Sequence, residues 1–174
     1  DVTFSGGFDI RSYKGIHYRE VVNLLGGDYY VDTYAYGRDY SDINDTDVTA
    51  IKRVGDKVAY HNIGYNSWTG GFIQAEYAKD DITAFFSAAG SNTTYQREDF
   101  FNYTDASGDQ KSEKASYPGS AIKVGANYNV NENLNVFFNT GALSIAPKFD
   151  FVYLNYNNTV NPEAKNEGIV SAEL

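Results

Sequence analysis

The chain has 174 residues, 16% of them aromatic (16 Tyr, 11 Phe, one Trp), no Cys, no Met, and a formal net charge of −9. That length suits one domain with a sizeable core, and the aromatic content favours strands over helices. The lack of Cys excludes a disulfide framework and thiolate metal sites, and the acidic balance argues against nucleic acid as a partner.

The first predicted strand covers about 2–13. Val2, Phe4, Phe8 and Ile10 alternate with Thr3, Ser5, Asp9 and Arg11, and a period of two places successive side chains on opposite faces of a sheet. A polar stretch, 14–57, follows, with room for a short turn of helix around 18–25. The second strand is expected over about 60–78, ending at the tight polar turn Lys79-Asp80-Asp81, and the third over about 82–101. After a polar loop (102–116) the fourth runs over about 118–130 and ends at Asn131-Glu132-Asn133. The fifth covers 134–145. A Tyr- and Asn-rich loop, 147–165, leads to a sixth strand from about 166 onward. No stretch carries convincing 3.6-residue periodicity, so little helix is expected.

The connections alternate in length: long between strands 1–2, 3–4 and 5–6, short between 2–3 and 4–5. In an antiparallel up-and-down meander this gathers the long loops at one edge, as outer-membrane barrels do. Parity sharpens the pattern. Asp9, Arg11, Gln74, Glu76, Lys123, Asn127 and Asn139 fall on one face. Val2, Phe4, Phe8, Ile10, Ile73, Ala75, Tyr77, Ile82, Ala84, Phe86, Val124, Ala126, Tyr128, Val136, Phe138, Val170, Ala172 and Leu174 fall on the other, which carries no charge. A lipid face should exclude charge in this way, because a basic residue at mid-bilayer costs ~2–4 kcal/mol. Tyr77 and Tyr128 precede the short turns, where an interfacial aromatic girdle would lie. The expected fold is therefore all-β: an antiparallel up-and-down meander of about six strands, with the polar face lining a lumen. A soluble β-sandwich also has one apolar and one polar face and stays open at this point. No apolar run reaches the roughly 20 residues of a membrane-spanning helix, which leaves a membrane β-barrel open. The opening Asp1-Val2-Thr3-Phe4 has neither Met nor the features of a signal peptide, and the chain is read as a mature chain or an excerpt.

The stretch Asn139-Thr140-Gly141-Ala142-Leu143-Ser144-Ile145-Ala146-Pro147-Lys148-Phe149-Asp150, with Asn161-Pro162-Glu163-Ala164-Lys165-Asn166-Glu167 and Ser171-Ala172-Glu173-Leu174 after it, resembles a signature in the later barrel strands of TonB-dependent outer-membrane receptors. There a strand ends in an aromatic-x-x-Arg-Ala-Pro motif, and an Asn-Pro-(Asp/Glu)-x-x-x-Glu stretch leads into a strand ending Glu-Leu-Gly. Gly7-Phe8-Asp9-Ile10-Arg11-Ser12-Tyr13-Lys14-Gly15, Leu24-Leu25-Gly26-Gly27-Asp28-Tyr29-Tyr30, Tyr60-His61-Asn62 and Gly125-Ala126-Asn127-Tyr128-Asn129 are similar to Bacteroidetes-type members of that family. Ile145 stands where the motif usually has Arg, and Ala142 where an aromatic is common. The resemblance implies that residues 1–174 are a partial β-barrel domain, an internal slice of a transmembrane barrel of ~22 strands, with no plug domain and no TonB box. It implies active uptake rather than enzymatic activity, no cofactor, and a bacterial outer-membrane location. The implied partners are outer-membrane lipid, the plug and remaining barrel strands of the same receptor, the TonB complex acting through the plug, and a small nutrient such as a siderophore, cobalamin or a glycan. Two alternatives stand beside it: a self-standing small outer-membrane barrel or pore, and a soluble carbohydrate-binding β-sandwich.

Few residues point to a chemical site. Tyr95, Phe101, Tyr103, Tyr153 and Tyr156 lie in or near predicted outer loops, where aromatics stack on ligands or simply pack the loop. Asp28, Asp32, Asp39, Asp42, Asp45 and Asp47 crowd the first long loop. Asp42, Asn44, Asp45 and Asp47 are weak calcium candidates, since the run lacks the Gly and the terminal Glu of an EF-hand loop; a solvated acidic loop is the plainer reading. His17 and His61 are the two histidines, too few for a metal site or a triad. No phosphate loop, nucleotide motif or Ser-His-Asp arrangement is present.

Overall fold

The structure is a computed structural model that describes residues 1–33, 50–103, 108–154 and 157–174. Strand β1 (Val2–Glu20) leads into a connection whose stem is a two-stranded ribbon of β2 (Tyr30–Val31) and β3 (Ile51–Lys52). β4 (Lys57–Lys79), β5 (Ile82–Asp99), β6 (Ala115–Asn131) and β7 (Leu134–Ile145) follow. A single helical turn, α1 (Phe149–Val152), precedes β8 (Glu167–Glu173). The six long strands form one antiparallel sheet in the order β1-β4-β5-β6-β7-β8. This is the expected all-β meander, and both short turns fall where the sequence places them. Lys79 pairs with Ile82, and Asp80 takes a positive φ of 50° in the turn. Asn131 pairs with Leu134, while Asn133 N donates to Asn131 Oδ1 (2.9 Å), a side-chain-closed turn.

At the long-loop end β1, β4 and β6 extend past their predicted bounds, while β5 stops two residues short of its own, at Asp99. β1 continues to Glu20, so the anticipated helical turn around 18–25 does not form. Its place is taken by strand pairing of Tyr18 with His61 and Glu20 with Lys57. Cross-strand pairs hold this polar extension together: Lys57 Nζ bonds Glu20 and sits 3.7 Å from the Tyr18 ring centroid, and the Arg19 guanidinium lies 5.3 Å from that of Tyr60. The register slips between Tyr18 and Arg19, and Ala59, within that bulge, takes φ +63°. Asp32, read from sequence as one of several solvated acids, is instead fully buried (0% exposed) and accepts the Ala59 N–H at 3.1 Å. It fastens the first connection to the bulge.

The register assigns the faces. Val2 faces Tyr77, Phe4 faces Ala75, Ala75 faces Phe86, Phe86 faces Val124, and Ala126 faces Phe138. Every member of the apolar set from Val2 to Ala172 shares this face. It stands open: Phe4 is 79% exposed, Phe8 71% and Val170 82%. Among the described residues no second sheet covers it. The charge-free region is a band, because the longer strands add Lys14 and Glu98 to the same face beyond it. The sizeable core that chain length suggests is absent. The buried cluster is small (Tyr95, Ala115, Val152 and Tyr153) and lies on the opposite, polar face, where the 146–166 connection folds back over the sheet. Side chains converge on that polar face. A Cβ at Gly70 would collide with the Trp68 ring, and one at Gly125 with Asn139 and Phe85, whereas Gly90, on the apolar face, looks into open space.

Candidate functional site

The polar face holds a trough of about 790 Å³ that crosses β1, β4, β5, β6 and β7. Toward the short turns its lining is Gly7, Phe72, Ala89 and Ala121, and the polar residues predicted for this face continue beyond it. Asp9, Arg11, Gln74, Glu76, Lys123, Asn127 and Asn139 all share this face by register. Gln74 Nε2 donates to Glu76 Oε1 (2.5 Å), and Asn135 Nδ2 donates to Asn127 Oδ1 (3.1 Å).

At mid-height the trough turns aromatic. Arg11 faces Trp68 across β1 and β4, with its guanidinium 5.3 Å from the ring centroid. Arg11 also forms a close pair with Asp9 (Nη2 to Oδ2 2.5 Å), two residues along the same strand and on the same face. The Arg11 side chain is three-quarters exposed, so this pair orients the guanidinium more than it stabilises the fold. Asn66, between Tyr13 and Tyr95 in the register, has a buried Oδ1 with no hydrogen-bond partner. An unpartnered buried acceptor is costly. The arrangement offers a stacking surface and a fixed guanidinium–carboxylate pair. That suits polar recognition; it holds no nucleophile–base pair.

The upper end is closed by a buried polar network. Arg97 donates to Asp99 Oδ2 (2.6 Å) and to Asn158 Oδ1 (2.7 Å), and the Arg97 and Asp99 side chains are 4% and 3% exposed. Asp99 Oδ1 accepts the backbone N–H groups of Phe101 and Asn102, while Asn158 Nδ2 donates to the carbonyls of Asp109 and Gln110. The connection after β5 and the connection after β7 are thus tied to one strand end. Tyr153 O–H lies 3.1 Å from Ser112 Oγ, 3.2 Å from the Tyr95 carbonyl and 3.1 Å from that of Glu113. Burial pushes the Tyr153 hydroxyl pKa above the ordinary 10.0.

The sequence-derived aromatics divide accordingly. Tyr95, Phe101 and Tyr153 are buried; as placed they pack the loops, which is the second of the two roles the sequence offered. Tyr95 O–H donates to the Pro147 carbonyl (2.8 Å). Tyr103 is half-buried and its O–H accepts the Asn158 N–H (3.1 Å). Tyr156, and the acidic positions Asp39, Asp42, Asn44, Asp45 and Asp47, lie outside the described residues. Among the described residues no group of three or more His, Asp or Glu side chains could hold a metal. His61 stacks on Phe100 with centroids 4.6 Å apart. Sequence reasoning missed Asn66, Trp68, Arg97 and Asn158. Trp68 and Asn66 share parity with Gln74 and Glu76, and that signal extends up β4 to the trough. No protein-family model matches this chain, and no curated protein and no solved structure is significantly similar to it.

Proposed function

We propose that this chain is part of the barrel wall of an outer-membrane active-uptake receptor of the TonB-dependent type, with the apolar band against lipid and the trough facing the lumen. One observation carries the membrane part: a contiguous, exposed, charge-free band on one face of long antiparallel strands. On β1 the band runs from Val2 to Ile10, ~26 Å along the strand at ~3.3 Å per residue. At a tilt of ~40° that is about 20 Å along the membrane normal, close to the ~25 Å apolar belt of such barrels. Tyr77 and Tyr128 edge the band at the short-turn side, and Ser12, Thr69, Asn92 and Ser120 edge it at the other. The receptor part rests on the motif resemblance. It is supported by the inward-folded connection over the polar face, which narrows a lumen. A self-standing small pore would need β1 to pair with β8, and the sheet order leaves both at its edges. A soluble sandwich would need a second sheet against the band. In this reading the ligand is a small nutrient (siderophore, cobalamin or glycan), the partners are the plug and remaining strands, and energy comes through the TonB complex.

Residues 1–174 contain no cysteine, so labels can be placed in them once any cysteine elsewhere in the full-length protein is replaced by Ser. Spin labels on single cysteines at Phe86, Val124, Ser87 and Lys123 are measured in the full-length protein in lipid bilayers. Phe86 and Val124 face each other on the apolar side, Ser87 and Lys123 on the polar side. Labels at the first pair should be relaxed by oxygen and shielded from a water-soluble nickel complex. A protein that stays in the aqueous fraction, or labels with the opposite preference, defeats the reading. The uptake half is tested by growth on a panel of iron chelates, cobalamin and glycans. A gene deletion and a TonB deletion should abolish growth on the same compound.

A further inference from the structure

Beyond the apolar band, toward the long loops, the same face of the sheet changes chemistry twice. First comes a belt of hydroxyls and amides: Ser67, Thr69, Asn92, Thr94 and Ser116 share the face by register. They bond one another, with Asn92 Nδ2 donating to Ser116 Oγ (2.8 Å) and Thr94 Oγ1 lying 3.2 Å from Ser116 Oγ. Above the belt, two lysines converge on one ring. Lys14 Nζ is 5.7 Å and Lys111 Nζ 5.0 Å from the Tyr65 centroid. Lys14 is the register partner of Tyr65, and Lys111 bridges Glu98 on the same face. The nearby acid is engaged, since Glu98 Oε2 accepts the Tyr65 O–H at 2.7 Å. Both lysines are exposed, and among the described residues neither lies within ion-pair reach of a carboxylate. In a chain of net charge −9, two lysines set against the single acid Glu98 leave this patch net positive, the reverse of the background.

We propose that this surface binds the phosphate-bearing headgroup of a lipid in the outer leaflet, the lysines meeting phosphate and the hydroxyl–amide belt meeting the polar groups beneath it. The inference rests on the membrane reading above. Depth supports it. Lys14 lies four residues past Ile10, the last apolar residue of the band on β1. That is ~13 Å along the strand and ~10 Å along the normal at a tilt of ~40°. The headgroup layer of a bilayer begins at the hydrocarbon edge and is roughly 5–8 Å thick. A lysine stem bends toward such a layer while its ammonium stays wet, and each basic residue at an anionic lipid surface adds to the attraction.

The test uses the full-length protein in nanodiscs, with retained lipid counted by native mass spectrometry. One arm holds phosphatidylcholine plus bisphosphorylated lipid A, a second its dephosphorylated form, and a third phosphatidylcholine with inorganic phosphate in the buffer. The wild type should retain the phosphorylated lipid and neither the dephosphorylated lipid nor inorganic phosphate. Lys14→Gln with Lys111→Gln should weaken retention roughly 30-fold. Lys79→Gln with Lys123→Gln, a charge-matched pair at the short-turn end and on the opposite face of the sheet respectively, should leave it unchanged. Equal retention in the two double variants, equal retention of both lipid forms, or retention of inorganic phosphate in the third arm overturns the proposal. Failure of the wild type to enter nanodiscs at all overturns the membrane reading instead, so the two failures are distinct.

Discussion

Replacing Val124 by Arg tests the apolar face where it is most committed. Val124 sits in the middle of the band, with Phe86 beside it on β5 and Thr140 on β7. On its own strand Ala126 and Tyr128 lie toward the short turn, and Ile122 and then Ser120 toward the long loops. A basic residue facing lipid costs ~2–4 kcal/mol at the bilayer midplane and ~0–1 kcal/mol near an interface. Ser120 is four residues away, ~13 Å along the strand and so ~10 Å nearer the interface. Val124→Arg should therefore destabilise the full-length protein by about 3 kcal/mol, a roughly 150-fold shift in the folding equilibrium. Ser120→Arg should cost no more than about 1 kcal/mol. Asn127→Arg, one strand position beyond Ala126 but on the polar face, gives up exposed amide hydrogen bonds and should also stay near 1 kcal/mol. The assay is urea unfolding in lipid vesicles, followed by the gel shift of the folded, unheated barrel. Equal costs for Val124→Arg and Asn127→Arg, or a flat profile from Val124 to Ser120, would refute the assignment of faces.

Three further outcomes follow from the loops. Arg97→Ala leaves Asp99 buried without its cation and should cost about 3 kcal/mol, the lower end for a broken buried pair because Asp99 keeps its backbone donors; hydrogen exchange in 147–161 should quicken, and Arg97→Lys should fall between. Asp32→Ala removes the acceptor of the Ala59 N–H and should cost ~1–3 kcal/mol, read as faster proteolysis of the connection between β1 and β4, while Asp32→Asn retains a carbonyl acceptor and most of the stability. Because burial raises the Tyr153 pKa, the folded state holds that proton where the unfolded chain has lost it. The stabilisation is complete below pH 10.0 and declines as pH rises past it; Tyr153→Phe should flatten that decline in pH-dependent melting, and an unchanged slope would show that another group is responsible.

What could be read from the sequence followed local pattern. β7 is bounded by a side-chain-closed turn at Asn131–Asn133 and by Pro147, and its predicted limits coincide with the observed strand, residues 134–145. The faces were legible because a strand's parity is set by its own residues. The upper third of β1 was not. Lys14, His17, Arg19 and Glu20 break the apolar alternation, and the pairs that make this stretch a strand come from Lys57, Tyr60 and His61, some forty residues on. Asp32 looked solvated for the same reason, since one of its partners is the N–H of Ala59 in a bulge that exists once β4 lies beside β1. The trough is likewise non-local: Arg11, Asn66 and Tyr95 belong to three strands, and nothing in any one of them marks the gap at Asn66 Oδ1.

The two free edges carry the physical case for a wider assembly independently of any motif. In the band, Val2–Ile10 of β1 and Gly168–Ala172 of β8 each have one side without a ladder partner within the sheet. In hydrocarbon every unpaired backbone group costs several kcal/mol, and spanning sheets therefore close. Six strands closing on themselves would form a cylinder narrower than the ~8-stranded barrels whose interior side chains just fill the space. The polar face has more than that to accommodate. Trp68, Phe72, Phe85 and Tyr95 already converge on it, Arg11, Glu76 and Lys123 bring charges that need water or partners, and the turn at Phe149–Val152 is folded over its upper end. A trough of about 790 Å³ remains beside all of these. A sheet whose inner face carries this much cannot be rolled shut without expelling its own folded connection. Under the proposed membrane reading its curvature would be that of a larger ring, completed by strands that pair with β1 on one side and β8 on the other. In that ring the inward-folded connection becomes a constriction within the lumen, and the network of Arg97, Asp99 and Asn158 is what holds it there.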